Sequence, residues 1–181
     1  MAEIRKRRLG RTNVMVTEIG LGGIPLMRVE DFDEAAELIN YALDQGINYI
    51  DTARAYKDSE EKFGQVLKDR RDEVFVATKT HAYDYDTAWE YLETSLKNLQ
   101  TDYLDLYQAH WVCNNEELDK VLGPGGTLET LQKVKGLTRE FELKDSGMCG
   151  KMGQMVPTSI GGPYMFVAEL TVGGQRVGEE G

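Results

Sequence analysis

Apolar runs alternate with stretches of helical periodicity along most of this chain. Short apolar runs predict strands at residues 16–21, 47–50, 74–78 and 103–107, and a turn at 9–14 predicts a hairpin at the N-terminus. Apolar positions three or four residues apart predict one helix in each interval between these strands, and two shorter helices at 116–121 and 127–135. This alternation is typical of an α/β protein with a parallel sheet, since parallel neighbours must be joined by a crossover.

Polar residues at the boundaries of these segments predict where the helices begin. Either Asp31 or Asp33 can cap the first helix, and either Asp58 or Ser59 the second. Asp86 is expected to cap the third. Each oxygen-bearing side chain can accept a hydrogen bond from a main-chain N–H group that the first helical turn leaves without a partner.

The four predicted strands end at polar or small residues that recur at a nearly constant spacing. Gly23, Asp51, Lys79 and His110 lie 28, 28 and 31 residues apart. Taken singly, the aspartate is readily explained as a turn former, the lysine as a solvated side chain and the histidine as a structural group. Ligands of parallel α/β proteins bind at the carboxyl ends of the strands, so three such residues one unit apart predict a shared polar site.

Tyr56 is a fourth candidate, in the loop that follows Asp51. It is either a packed loop aromatic or a proton donor, and a free phenol has a pKa of about 10. A nearby ammonium group favours the phenolate, so Lys79 is predicted to lower that pKa while Asp51 keeps Lys79 charged. His110 could then orient a carbonyl oxygen or stabilise the negative charge that builds on it.

The composition is that of an ordinary soluble globular protein and narrows the possible functions. The net charge of -10 argues against nucleic acid as a partner, because phosphate binding needs clustered basic residues. A local basic cluster at residues 5–8 and Arg11 is either a solvated hairpin surface or an anion contact. No long apolar run predicts a membrane span and no secretory signal is evident. The two cysteines and two histidines predict no disulfide framework and no metal site, and a cytoplasmic location is expected.

Several motifs in order resemble those of the aldo/keto reductases, over roughly residues 4–135. The matching segments are LGRT at 9–12, IGLGG at 19–23, GINYIDTARAY at 46–56, SEEKFG at 59–64, VATKT at 76–80 and DYLDLYQAH at 102–110. The resemblance implies a (β/α)8 TIM-type barrel, of which this chain carries about four β-α units after an N-terminal hairpin.

The same resemblance implies a function and a set of residues. It implies reduction of a small aldehyde or ketone substrate by NADPH, with Tyr56 as the general acid. Lys79 and Asp51 would tune that acid, and His110 would orient the substrate. Gly23, Ile24 and Asp51 would contact the cofactor. No metal ligand is implied.

The composition changes after Lys135. Residues 136–181 hold 10 of the 19 glycines and 4 of the 7 methionines, and only residues 166–172 resemble a strand. We therefore predict a barrel-like domain at 1–135 and a divergent Gly/Met-rich tail at 136–181. A truncated or frameshifted coding sequence is one hypothesis for this change. The alternative function is then a non-catalytic half-barrel that binds a partner or self-associates through its open sheet edges.

Overall fold

The computed structural model describes residues 3–10, 14–136, 155–156 and 165–166. The chain opens with the expected antiparallel hairpin, in which β1 (Lys6–Arg8) pairs with β2 (Met15–Thr17). Leu9 N donates to Val14 O at 2.9 Å and closes the pair beyond the strand ends. Two exposed ion pairs join Arg5 and Arg7 of the basic cluster to Glu18, so this part of the cluster is a solvated hairpin surface.

Four parallel strands follow and lie beside one another in chain order. They are β3 (Leu21–Gly22), β4 (Tyr49–Asp51), β5 (Phe75–Thr80) and β6 (Leu106–Ala109). Gly22 is in register with Asp51, and Lys79 with Gln108. The predicted α/β fold with a parallel sheet is confirmed. Because the strands are parallel neighbours, Asp51, Lys79 and His110 all lie at the carboxyl ends of the strands.

The helices connect the strands and have recognisable start signals. Their bounds are α1 (Gly23–Leu26), α2 (Phe32–Asp44), α3 (Ser59–Arg70), α4 (Tyr85–Asn98), α5 (Asn115–Leu122) and α6 (Thr127–Gly136). Asp31, rather than Asp33, caps α2 by accepting from the N–H groups of Asp33 and Glu34. Asp58 holds the cap position of α3, but its side chain accepts no capping hydrogen bond from the helix N–H groups. The prediction that Asp86 caps the third helix is wrong, because Asp84 accepts from Thr87 N there.

The predicted strand at 16–21 is also wrong, because the structure divides it between two sheets. Residues up to Thr17 belong to the hairpin, and the barrel strand begins at Leu21. Asn48 stabilises the turn between them: its Oδ1 accepts from Thr17 N at 2.7 Å, and its own N donates to Thr17 Oγ1 at 3.2 Å. The hairpin strand thus ends before the chain enters the parallel sheet.

The core lies between the sheet and its helices. Its fully buried members include Ile39, Ile50, Phe63, Val76 and Leu99. A second, smaller cluster packs the hairpin against the opposite face of the sheet; its buried members are Val16, Phe75, Ala77 and Leu106. The strands are therefore apolar on both faces, as parallel strands covered on both sides require.

Two short strands from the C-terminal part extend the sheet beyond β6. In them, β8 (Met165–Phe166) pairs antiparallel with β6 at Ala109, and β7 (Met155–Val156) pairs with β8. The rest of the predicted tail lies outside the described residues, as do residues 167–172 of the predicted strand. Among the described residues, no helix combines the length and the apolar character needed to cross a membrane.

Candidate functional site

A short ion pair forms the base of the polar site. Lys79 Nζ lies 2.6 Å from Asp51 Oδ1 and donates to Thr52 O at 2.7 Å. The Lys79 side chain is 1% exposed, whereas that of Asp51 is 33% exposed. Burial lowers the pKa of Lys79, and the Asp51 carboxylate opposes that shift. The pair is available to a ligand from the Asp51 side.

The loop after β4 places Tyr56 over this pair. Tyr56 N donates to Ala53 O and Tyr56 O accepts from Ser59 N, both at 2.9 Å, so the residue is held by hydrogen bonds to both sides. Lys57, directly after it, adopts a left-handed backbone conformation with φ of 46°. Lys79 Nζ lies 5.4 Å from the centroid of the Tyr56 ring. The structure therefore places Tyr56 beside the Asp51–Lys79 pair.

The predicted tuning of Tyr56 differs from what the structure shows. Burial, and after it the Asp51 carboxylate, raise the pKa of Tyr56 to about 12. The physical reason is that the half-buried site solvates a phenolate poorly, and the negative charge of Asp51 disfavours a second negative charge beside it. Tyr56 is thus a protonated phenol across the neutral pH range.

His110 completes the site from the end of β6. Its main-chain N donates to Thr80 O at 2.7 Å, which continues the pairing between β5 and β6 by one residue. Its ring lies edge-on to the Tyr56 ring, with centroids 5.5 Å apart and planes at 83°. Burial, followed by the Lys79 charge, lowers the pKa of His110 to about 4. The imidazole is therefore neutral at physiological pH and can donate only one ring hydrogen bond.

A buried carboxylate behind the loop was missed by the sequence analysis. Glu60 is fully buried in the first turn of α3, where it accepts from Arg54 Nη1 at 2.7 Å and from Thr78 Oγ1 at 2.8 Å. Arg54 N in turn donates to Lys79 O at 3.0 Å. These contacts join the Tyr56 loop to β5. A sequence signal existed, because Glu60 shares the inward helix face with apolar Phe63.

The residues predicted to contact the cofactor fall into two groups. Ile24, in the short helix that follows β3, is 49% exposed, and the Asp51 carboxylate at the end of the neighbouring β4 is 33% exposed. A side chain added at Gly22, which pairs with Asp51, would meet open space. The carboxyl ends of β3 and β4 thus offer an apolar side chain at Ile24, a hydrogen-bond acceptor at Asp51 and accessible backbone at Gly22. Such a set fits a nicotinamide riboside. Gly23 is different, since it is buried against neighbouring hydroxyls.

Replacing Gly23 by alanine is expected to destabilise the fold. The added Cβ would lie 2.4 Å from Ser59 Oγ and 2.7 Å from Thr52 Oγ1, two hydroxyls that are hydrogen-bonded to each other at 2.9 Å. Overpacking of this kind costs about 1–3 kcal/mol. Urea unfolding followed by circular dichroism measures the change. Gly22→Ala is the matched control, with an expected change within about 0.5 kcal/mol. Equal stabilities of the two variants would contradict the packing role of Gly23.

No metal centre is evident in the part of the chain that the structure describes. Within those residues, no group of three or more His, Cys, Asp or Glu side chains is arranged to hold an ion. The polar site is a set of proton donors and acceptors around one ion pair.

Known proteins are similar to this chain in both amino-acid sequence and fold. The sequence profile of the Aldo/keto reductase family matches residues 18–153. Methylglyoxal reductase DkgA of Escherichia coli (strain K12) is 45% identical over 82 residues, which are 44% of this chain and 30% of that protein. A putative aldo-keto reductase from Pseudomonas aeruginosa has a TM-score of 0.65 at 33% identity, covering 73% of this chain and 55% of that one.

A third relative was solved with a cofactor. An aldo/keto reductase from Klebsiella pneumoniae in complex with NADP and acetate has a TM-score of 0.57 at 30% identity, over 68% of this chain and 43% of that one. The parallel sheet, the alternating helices and the matched profile establish that this chain belongs to the aldo/keto reductase family. It spans about half the length of the relatives it matches, and its fold is about half of a (β/α)8 barrel.

Proposed function

We propose that this chain serves the NADPH-dependent reduction of a small aldehyde or ketone, with Tyr56 as the general acid. One observation carries the proposal: a protonated phenol, a buried ammonium–carboxylate pair and a neutral imidazole lie together at the carboxyl ends of the strands. These groups can donate hydrogen bonds to a carbonyl oxygen and a proton to the alkoxide that forms from it.

Each side chain has a separate task in this proposal. His110 orients the carbonyl oxygen by donating from its ring, and Tyr56 donates a second hydrogen bond to the same oxygen. As charge builds on that oxygen, Tyr56 passes its proton to it. Lys79 lies close enough to stabilise the phenolate left behind, while Asp51 holds the ammonium in place at 2.6 Å.

The cofactor and the substrate class are supported by the relatives. Bound NADPH supplies the hydride that the protein itself lacks. Ile24 and Asp51 are the exposed candidates to hold its nicotinamide end, and the buried Gly23 directly precedes Ile24 at the start of α1. The Klebsiella protein binds NADP, and DkgA reduces methylglyoxal, which makes small carbonyl compounds the first substrates to test. We propose the cytoplasm as the compartment in which NADPH would reach the site.

A binding role without catalysis is the second candidate. The observation that favours it is the sheet edge at β3, a two-residue strand that pairs only with β4 among the described strands. Such an edge can accept a further strand from another chain. Self-association, and a truncated origin of the C-terminal part, stay predictions of the sequence analysis.

Cofactor titration distinguishes the two functions. We expect NADPH to quench the tryptophan fluorescence of the full chain saturably, with a dissociation constant between about 1 μM and 1 mM. N-acetyltryptophanamide at equal absorbance corrects for light absorbed by NADPH. Calorimetry of the same solution provides an independent readout. No saturable binding up to the millimolar range, in protein shown to be folded by circular dichroism, would favour the non-catalytic half-barrel.

A further inference from the structure

The inward face of β6 carries a polar side chain that the proposed function does not use. Successive residues of a strand point to opposite faces, so Leu106, Gln108 and His110 share one face. Leu106 packs in the apolar cluster under the hairpin, and His110 belongs to the site. Gln108 lies between them, in register with Lys79, and is 2% exposed.

Two polar side-chain atoms on this face have no hydrogen-bond partner among the residues that the structure describes. Gln108 Oε1, an acceptor, and His110 Nδ1 are both buried there. A buried polar atom left without a partner costs about 1–3 kcal/mol. The Thr52 and Ser59 hydroxyls bond each other, and the Lys79 ammonium has two acceptors, so these groups of the site have partners of their own.

A bound water is the usual partner of buried polar atoms that protein groups leave unpaired. A buried water needs two or more polar partners and offers two hydrogens. We propose that Gln108 is a positioning residue for His110: together with His110 Nδ1 it binds a water that donates to both, which keeps the imidazole hydrogen on Nε2. Gln108 thereby sets the His110 tautomer without touching the substrate.

The consequence for reduction rests on the proposed function. A neutral imidazole carries one ring hydrogen, and only the Nε2–H tautomer can donate from that nitrogen to a carbonyl oxygen. The other tautomer would present a lone pair to the oxygen and repel it. Burial and the Lys79 charge lower the pKa of His110 to about 4, so the ring is neutral at neutral pH. The tautomer of the neutral ring therefore decides whether His110 can donate a hydrogen bond to the carbonyl oxygen.

Nitrogen NMR of the full chain tests the tautomer directly. The chain has two histidines, His81 and His110, so histidine-selective ¹⁵N labelling gives two ring systems, and a His81→Asn variant assigns them. We expect His110 to show a protonated Nε2 and an unprotonated Nδ1 in the unliganded protein. Gln108→Leu should shift both His110 nitrogens towards the averaged values of mixed tautomers. Gln132→Leu, on the exposed face of α6, should leave them unchanged.

Three outcomes would overturn the proposal. They are an Nδ1–H tautomer in the parent protein, unchanged His110 nitrogens in Gln108→Leu, and equal shifts in Gln132→Leu. If Gln108→Leu fails to fold, Gln108→Glu decides. Its carboxylate should draw a proton to Nδ1 and raise the pKa of His110, which otherwise faces Lys79, Asp51 and His81. An unchanged pKa in that variant would refute the proposal.

The tautomer and the activity can fail separately. The NMR measurement needs neither NADPH nor substrate, so an inactive chain with the Nε2–H tautomer would refute the reductase and retain the role of Gln108. An active chain whose His110 nitrogens do not respond to Gln108→Leu would support the reductase and refute the role of Gln108. Where both hold, Gln108→Leu should lower kcat about tenfold or more, as expected when a hydrogen bond to developing charge weakens.

Discussion

Tyr56→Phe is expected to lower kcat for carbonyl reduction by about 10²- to 10⁴-fold, the usual contribution of a general acid. The phenol is the protonated group that faces the ion pair and His110, and phenylalanine keeps the ring packing while removing the proton. The steady-state rate of NADPH oxidation with methylglyoxal measures the change. KM should change little, because the ring that lines the site remains.

A second tyrosine provides the control for this result. Tyr41 is 67% exposed on α2, so Tyr41→Phe removes an equivalent hydroxyl away from the site and should leave kcat unchanged. Since the pKa of Tyr56 is about 12, the rate of the parent protein should also stay constant through the neutral pH range. Equal kcat values for Tyr56→Phe and the parent would exclude Tyr56 as the acid.

Lys79→Met is expected to have the next largest effect. It removes the ammonium that lies 5.4 Å from the centroid of the Tyr56 ring, and it leaves Asp51 and the Thr52 carbonyl without this donor. Loss of one preorganised donor of this kind lowers kcat by about 10²- to 10³-fold. Breaking a buried ion pair also destabilises, by less than the 3–5 kcal/mol of a fully buried pair because Asp51 is partly exposed. Kinetics corrected for the folded fraction, together with urea unfolding, measure both effects.

Lys62 provides a matched control for Lys79→Met, because its surroundings closely resemble those of Lys79. Its side chain is also 1% exposed, and its ammonium also contacts a carboxylate, Asp58, and a main-chain carbonyl, Leu26 O. Lys62→Met should therefore lose stability as Lys79→Met does while retaining kcat at saturating cofactor. Equal losses of kcat in both variants would mean that Lys79 acts through folding and not at the site.

Most of the sheet could be predicted from local pattern, and the exceptions were set by distant contacts. Hydrophobicity and spacing alone place Asp51 at the end of β4, as the structure has it, and place Lys79 and His110 within one residue of the ends of β5 and β6. The boundary at Thr17 depends on Asn48, 31 residues further along the chain. The choice of Asp84 over Asp86 as a cap has a similar cause. Asp84 is held extended by its bridge to Gly126, a contact that no local sequence window contains.

The candidate site was likewise predictable in its members but not in its electrostatics. Strand position and loop position together bring Tyr56 to Lys79. The pKa of Tyr56 depends on how deeply the phenol is buried and on its distance from the Asp51 carboxylate, and both require coordinates. Glu60 was overlooked because a first-turn glutamate is usually solvated, whereas here Arg54 and Thr78 bind it inside the core.

Transfer of deuterium from NADPH to a carbonyl product tests the central claim most directly. The full chain would be incubated with methylglyoxal and NADPH deuterated at C4, and the alcohol analysed by mass spectrometry. We predict one deuterium on the carbon of the former carbonyl group, one product per NADPH consumed, and a rate that falls in Tyr56→Phe but not in Tyr41→Phe. A folded chain that binds NADPH and forms no deuterated alcohol from any of a panel of small aldehydes and ketones would contradict the proposed reduction.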